Sequence, residues 1–227
     1  MKLIIETDEK ILNKYIFDEL VNSLEKMGEK DYINIGLSGG NSILSFYKHL
    51  EENSHLIDKS IWEKINFGFV DERIVTFDDN YSNYGFLKGI FLDKLVEKKL
   101  IKDSQIKKIY INSKNISKDY TKSFPFIDIG LFGVGEDGHI ASIFPKHQIL
   151  KDKSNSYLQI NDSPKLPKNR ITISPLYLQS INTCFVFFIG EKKLKAFENF
   201  LDPGIGENQC PAKLIYNCQN QIIISNI

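Results

Sequence analysis

The stretch Ile127-Asp128-Ile129-Gly130-Leu131-Phe132-Gly133-Val134-Gly135-Glu136-Asp137-Gly138-His139 decides how the rest of the chain is read. A short, nearly unbroken apolar run over Ile127–Val134 is strand-length, and the polar, glycine-rich segment after it ends the strand. Such runs are the mark of strands covered on both faces, as in parallel sheets. The same unit recurs on either side. Ile33–Leu37 leads into Ser38-Gly39-Gly40-Asn41-Ser42 and a helical pattern through Leu50, and Ile65–Val70 leads into Asp71-Glu72-Arg73. Lys108–Ile111, Arg170–Ser174 and Gln221–Ser225 read as further strands, and Thr183–Ile189 runs through Gly190 into a helix over Glu191–Leu201. Residues 8–28 predict an amphipathic helix, with Leu12, Ile16, Leu20 and Leu24 every fourth residue and Gly28 just past its end. Lys, Ser, Asn and Pro cluster over 151–169, which predicts a long surface loop. Strands alternating with helices give an α/β class: a mostly parallel sheet with helices on both faces, in a single domain over residues 1–227.

Composition narrows the function. With 42% hydrophobic and 26% charged residues in 227, the chain is globular rather than disordered or fibrous. Lys+Arg and Asp+Glu are 29 each, so no net field favours nucleic acid. Cys184, Cys210 and Cys218 show no CxxC spacing and imply neither a disulfide framework nor a zinc site. No apolar run approaches a membrane span, and the opening Met1–Lys10 is too short-lived in its apolarity for a secretion signal. A cytoplasmic protein is expected, with no nucleic-acid or membrane partner.

In open parallel sheets ligands bind beyond the carboxyl ends of the strands. The informative polar residues follow Leu37, Val70, Val134 and Ile189, which predicts one shared pocket. Ser38, Gly39, Gly40, Asn41 and Ser42 at a helix start could cradle an anion on free N–H groups; equally, they could be a glycine turn with Asn41 or Ser42 as N-cap. Asp71-Glu72-Arg73 could supply catalytic groups or be a solvated turn with an internal ion pair. Asp137 and His139, two apart in a glycine-framed loop, suggest a carboxylate orienting an imidazole base. No third residue suggests a metal site. Arg170, Lys192 and Lys193 could clamp a phosphate. His49, His55 and His147 lack such framing and are expected on the surface. Ser142 is in no Gly-x-Ser-x-Gly elbow and is not expected to be a nucleophile.

Taken together, these segments resemble the glucosamine-6-phosphate isomerase/6-phosphogluconolactonase family. The matches run in order through Gly36–Gly40; Trp62 and Phe69–Arg73; Ser82-Asn83-Tyr84; Asp128–Pro145; Arg170-Ile171-Thr172; Gly190–Lys193; and Pro211-Ala212. Deaminases of the group typically continue Asp-Gly-His as Ile-Ala-Phe-Asn-Glu-Pro. Here the continuation is Ile140-Ala141-Ser142-Ile143-Phe144-Pro145, as in the lactonases. The first loop departs from the usual Thr/Ser-Pro after its glycines, having Asn41-Ser42-Ile43. The resemblance implies a Rossmann-like fold and hydrolysis of 6-phosphoglucono-1,5-lactone, with neither organic cofactor nor obligatory metal. It implies His139, Asp137, Arg73 and Asp71 as catalytic residues. The phosphate would fall to Ser38–Ser42, Arg170 and Lys193, the last preferred over Lys192 for its Gly-x-x-Lys spacing. The partner expected is a small sugar phosphate, and the protein a monomer or weak homo-oligomer. An amino-sugar-phosphate isomerase/deaminase and a non-catalytic sugar-phosphate sensor are the competing readings.

Overall fold

The computed structural model describes residues 1–227. Six strands form one parallel sheet: β1 (Lys2–Ile5), β2 (Ile33–Leu37), β3 (Ile65–Phe69), β5 (Ile129–Gly133), β8 (Thr183–Phe188) and β9 (Asn220–Ser225). Their order is β1-β9-β8-β5-β2-β3, and every pair is parallel. The central strands are the most apolar: β2 and β8 are buried at every position, whereas the edge strand β1 buries only Ile4. Strands flanked on both sides and covered on both faces have no residue left for solvent.

Helices cover the sheet. Asp8 caps the helix Glu9–Glu25 by accepting from the N–H groups of Lys10 and Ile11, and Leu12, Ile16, Phe17, Leu20 and Leu24 form its buried face. Ser174 caps Pro175–Gln179 with proline in the first turn, where its missing N–H costs nothing. The core unites 63 buried residues, drawn from all six strands and the helices around them.

The chain goes from β2 outward to β3, then returns to place β5 on the other side of β2. The strand order therefore reverses between β2 and β5. The loops leaving their carboxyl ends part there, opening the crevice in which such sheets hold ligands.

Four sequence expectations are corrected. Arg170–Ile173 (β7) does not join the main sheet: it pairs antiparallel with β4 (Asp71–Arg73) and β6 (Tyr157–Ile160) in a second, three-stranded sheet. The 151–169 segment is not all loop, since β6 lies within it. Lys108–Ile111 is not a strand; the segment before it meets β3 at an isolated Phe67–Ile106 bridge, through the Lys107 N–H on the Phe67 carbonyl and through Gln105 Nε2 on the Ile65 carbonyl. Glu191–Lys193 is a 3-10 turn, and the α-helix proper is Leu194–Leu201. No helix is long and apolar enough to cross a membrane.

Candidate active site

The loop after β5 folds back on itself. Gly135 N–H donates to the His139 carbonyl (2.9 Å) and Gly138 N–H to the Gly135 carbonyl (3.0 Å). This brings the Asp137 Oδ1 and His139 Nδ1 atoms to 2.5 Å. A Cβ at Gly135 would overlap both the imidazole and the Asp137 carboxylate, so glycine is required by close approach. The ring also packs on Phe144, with centroids 4.6 Å apart.

Burial pushes the His139 imidazole below its ordinary value, against the pull of Asp137. For Asp137, burial raises the carboxyl, but the His139 hydrogen bond, its charge and the Lys165 ammonium outweigh it and hold the group well below the usual range. The pair is therefore carboxylate and neutral imidazole near neutral pH. With Nδ1–H donating to Asp137, the Nε2 lone pair is left as the base.

Next to it the chain turns through Ala141, whose φ of 51° is in the left-handed region. That conformation costs a non-glycine residue about 1 kcal/mol. It is held by the reciprocal hydrogen bonds between Ile140 and Ile143 (3.3 and 2.9 Å). The turn sends Ser142 inward, where its hydroxyl donates to Asp71 Oδ2 (2.7 Å). Ser142 is fully buried, engaged and distant from a nucleophile's role.

Asp71-Glu72-Arg73 is neither a solvated turn nor an internal ion pair. As strand β4 it alternates sides. Asp71 and Arg73 line the cleft, while buried Glu72 turns away and accepts the backbone N–H groups of Arg73, Asn83 and Tyr84, each at 2.7 Å. Burial pushes the Glu72 carboxyl up despite those three donors. By fixing the Ser82–Tyr84 turn, Glu72 delivers Asn83, whose amide donates to the Asp71 carbonyl (2.9 Å) and carboxylate (3.3 Å). The Asn83 side chain lies so close over Gly39 that a Cβ there would overlap it.

The cleft is lined by Ser38, Gly39, Asp71, Arg73, Asn83, Gly133, His139, Ala141 and Arg170. Only three buried side-chain polar atoms in the chain lack a partner: Ser38 Oγ, Arg73 Nε and Asn83 Oδ1. All three belong to residues lining this one cleft. Buried orphans are rare and costly, and their convergence marks a surface shaped for polar ligand atoms.

A second groove shares the loops after β2 and β5. Asn41, Ser42, Glu136, Gly190, Lys192 and Lys193 line it. Neither Asn41 nor Ser42 caps the following helix; the cap position is Ile43, with no side-chain bond. Lys193 is half-buried and Lys192 exposed. Burial lowers the Lys193 ammonium, partly offset by Glu136.

Arg170 is buried in the first cleft, but most of its donors are taken. Nε donates to the Pro167 carbonyl (3.0 Å), and Nη2 to those of Lys165 and Leu166 (3.1 Å each). Only Nη1, 3.4 Å from Ser142 Oγ, turns toward the cleft. The other histidines divide. His55 is exposed as expected, His49 is half-buried against the Phe17 ring, and His147 is half-buried and paired with Asp162 at 2.9 Å. No group of three or more His, Cys, Asp or Glu side chains is arranged to hold a metal ion.

Residues 7–224 match the family model of glucosamine-6-phosphate isomerases/6-phosphogluconolactonase. The chain belongs to this family. It is 32% identical to the 6-phosphogluconolactonase of Borreliella burgdorferi, over 100% of this chain and 96% of that protein. It is 31% identical to the human 6-phosphogluconolactonase, over 83% of this chain and 75% of the relative. Among solved structures, the 6-phosphogluconolactonase of Thermotoga maritima superposes with a TM-score of 0.82 at 21% identity, covering 100% and 99% of the two chains. A monomeric glucosamine-6-phosphate deaminase gives 0.80 at 19% identity, covering 99% and 97%. The two near-equal scores establish the family's fold and do not choose between its activities.

Against this family background, two residues, one lining the cleft and one contacting the Asp137–His139 pair, were not singled out by chemistry in the sequence. Asn83 was visible only as part of a motif, because its role depends on Glu72 holding its backbone. Lys165, whose ammonium is 3.5 Å from both Asp137 Oδ1 and His139 Nδ1, had no local signal.

Proposed function

We propose that the protein hydrolyses 6-phospho-D-glucono-1,5-lactone to 6-phospho-D-gluconate, a step of the oxidative pentose phosphate pathway. The observation that carries this reading is the convergence of the three unpartnered polar atoms with the Asp137–His139 pair in one cleft. The curated 6-phosphogluconolactonase relatives support it, as do the residues after His139. Phe144 stands where the deaminase pattern has a glutamate, so His139 meets an aromatic face rather than a second carboxylate.

In this reading His139 Nε2 takes a proton from water as the water oxygen attacks C1 of the lactone. Asp137 keeps the tautomer and stabilises the imidazolium that forms. Arg73 Nε and Ser38 Oγ, both without protein partners, donate to the developing oxyanion. When the C1–O bond breaks, the imidazolium returns its proton to the ring oxygen. Asp71 and Asn83 orient the sugar hydroxyls. The phosphate occupies the adjoining groove, on the backbone of Ser38–Ser42 and on Lys193. Arg170 has only Nη1 free for substrate and acts chiefly by holding the 165–167 carbonyls. Binding at the phosphate end restricts the lactone and so contributes to turnover as well as affinity.

The test compares phosphorylated and unphosphorylated gluconolactone, each followed continuously against an enzyme-free control, with ammonia release from glucosamine 6-phosphate measured in parallel. Strong preference for the phosphorylated lactone and no ammonia are expected. Ammonia release without lactone hydrolysis would make the protein a deaminase, and saturable binding with neither reaction would make it a sensor.

A further inference from the structure

Lys165 sits on the connection between β6 and β7, which is pinned by buried Ser163 although Lys165 itself is exposed. Ser163 N–H donates to the Lys168 carbonyl (3.2 Å) and closes the base. Ser163 Oγ accepts from Lys165 N–H (3.2 Å) and donates to the Lys165 carbonyl (2.8 Å). Arg170 then gathers the carbonyls of Lys165, Leu166 and Pro167. The outcome is a hoop whose backbone is fixed from inside while one ammonium reaches across to the loop after β5. There it lies 3.5 Å from Asp137 Oδ1 and 3.5 Å from His139 Nδ1.

We propose that Lys165 is a positioning residue of the Asp137–His139 pair: from the Arg170-clamped hoop, its ammonium shares the Asp137 carboxylate with the imidazole and competes with the imidazolium for it. The other charges facing His139 are Asp137 itself and Asp71 across the cleft. Lys193 and Glu136 line the adjoining groove, and Arg73 and Arg170 line the cleft itself, Arg170 with its guanidinium 5.5 Å from the centre of the Phe144 ring. Lys165 is thus the one cation in contact with both members of the pair. A positive charge at this distance disfavours a charged imidazole. It leaves the resting base free and hastens return of the proton to the departing ring oxygen. The inference rests on His139 being the general base.

The test is an NMR titration of the His139 ring in the wild type, Lys165→Met and Lys165→Arg, with the kcat/KM pH profile of each. In Lys165→Met the His139 midpoint should rise by about half to one pH unit, with the acid limb of kcat/KM following it. Lys165→Arg should stay near the wild type. Because the charge is exposed, the difference should shrink in high salt. A second variant, Arg170→Met, should move the midpoint the same way, and its effect should not add to that of Lys165→Met. A His139 midpoint unchanged or lowered in Lys165→Met overturns the proposal, as does full additivity of the two variants for the clamp. The titration requires no turnover, so failure to hydrolyse lactone would strike the proposed function while leaving the Lys165 question decided on its own.

Discussion

The two ends of the parallel sheet hold grooves of opposite character. At the amino ends of β1, β8 and β9 lies a groove of about 650 Å³, lined by Lys2, Glu19, Lys30, Asn182 and Asn220 among others. None of its buried side-chain polar atoms lacks a partner, and several of its charged and polar groups are paired: Lys2 with Glu19, Lys30 with Asp128, and Asn182 Nδ2 donates to Gln219 at 2.6 Å. At the carboxyl ends the cleft holds only about 60 Å³, opening beside a groove of about 580 Å³. Yet all three unpartnered buried polar atoms are there. Size does not distinguish a site from a surface fold. Unsatisfied, preorganised polarity does, because a protein retains such atoms at a cost to its stability.

This contrast can be broken first at His139. His139→Ala should lose about 10²–10⁴-fold in kcat. Lys30→Ala, at the other end, should leave kcat unchanged and register only in thermal unfolding, since Asp128 is buried and keeps only the Asn34 N–H (2.8 Å). Comparable losses of kcat in both would erase the distinction. Arg73→Ala should follow with about 10²–10³-fold in kcat/KM, the scale of one lost oxyanion donor. A drop confined to KM would reassign Arg73 to ground-state binding.

Ser38→Ala sharpens the comparison through stability. Its hydroxyl has no partner, while its carbonyl, which accepts from Tyr47 Oη at 2.8 Å, is untouched. Activity should fall while the melting temperature holds or rises. A clear fall in melting temperature would show the hydroxyl to be structural. Lys193→Met should raise KM by roughly tenfold, the loss of one charge-assisted bond to the phosphate, and Lys192→Met should do much less. The reverse ranking would move the phosphate ligand by one residue.

The pH profile carries the smallest effect. With His139 held below the ordinary 6.5 by burial, kcat/KM should rise with pH through a midpoint under that value. Activity is then present above the midpoint and lost as the imidazole protonates below it. A midpoint above 6.5 would mean that Asp137 outweighs burial.

How far the sequence could carry these conclusions follows from the range of the interactions. The central strands were legible because an apolar run with a glycine break is local: β2 lies at its expected Ile33–Leu37, and the Glu9–Glu25 helix falls within 8–28. The cleft's position followed from strand ends alone, as Ser38, Asp71 and His139 all lie beyond carboxyl ends on its wall. The second sheet was not legible. β4 is three residues long, too short for any period, and exists only because Asp71 pairs with Thr172 a hundred residues on. Arg170 reads as a free cation until the hoop closes around it, and Lys165 reads as one surface lysine among many. In each case the deciding partner is distant in the chain.

The most direct measurement is continuous hydrolysis of freshly generated 6-phosphogluconolactone by wild type and His139→Ala beside an enzyme-free control. The wild type should accelerate the reaction well above the spontaneous rate, and the folded variant should lose most of that acceleration. A wild type no faster than the control, or a variant as fast as the wild type, would contradict a lactonase centred on His139.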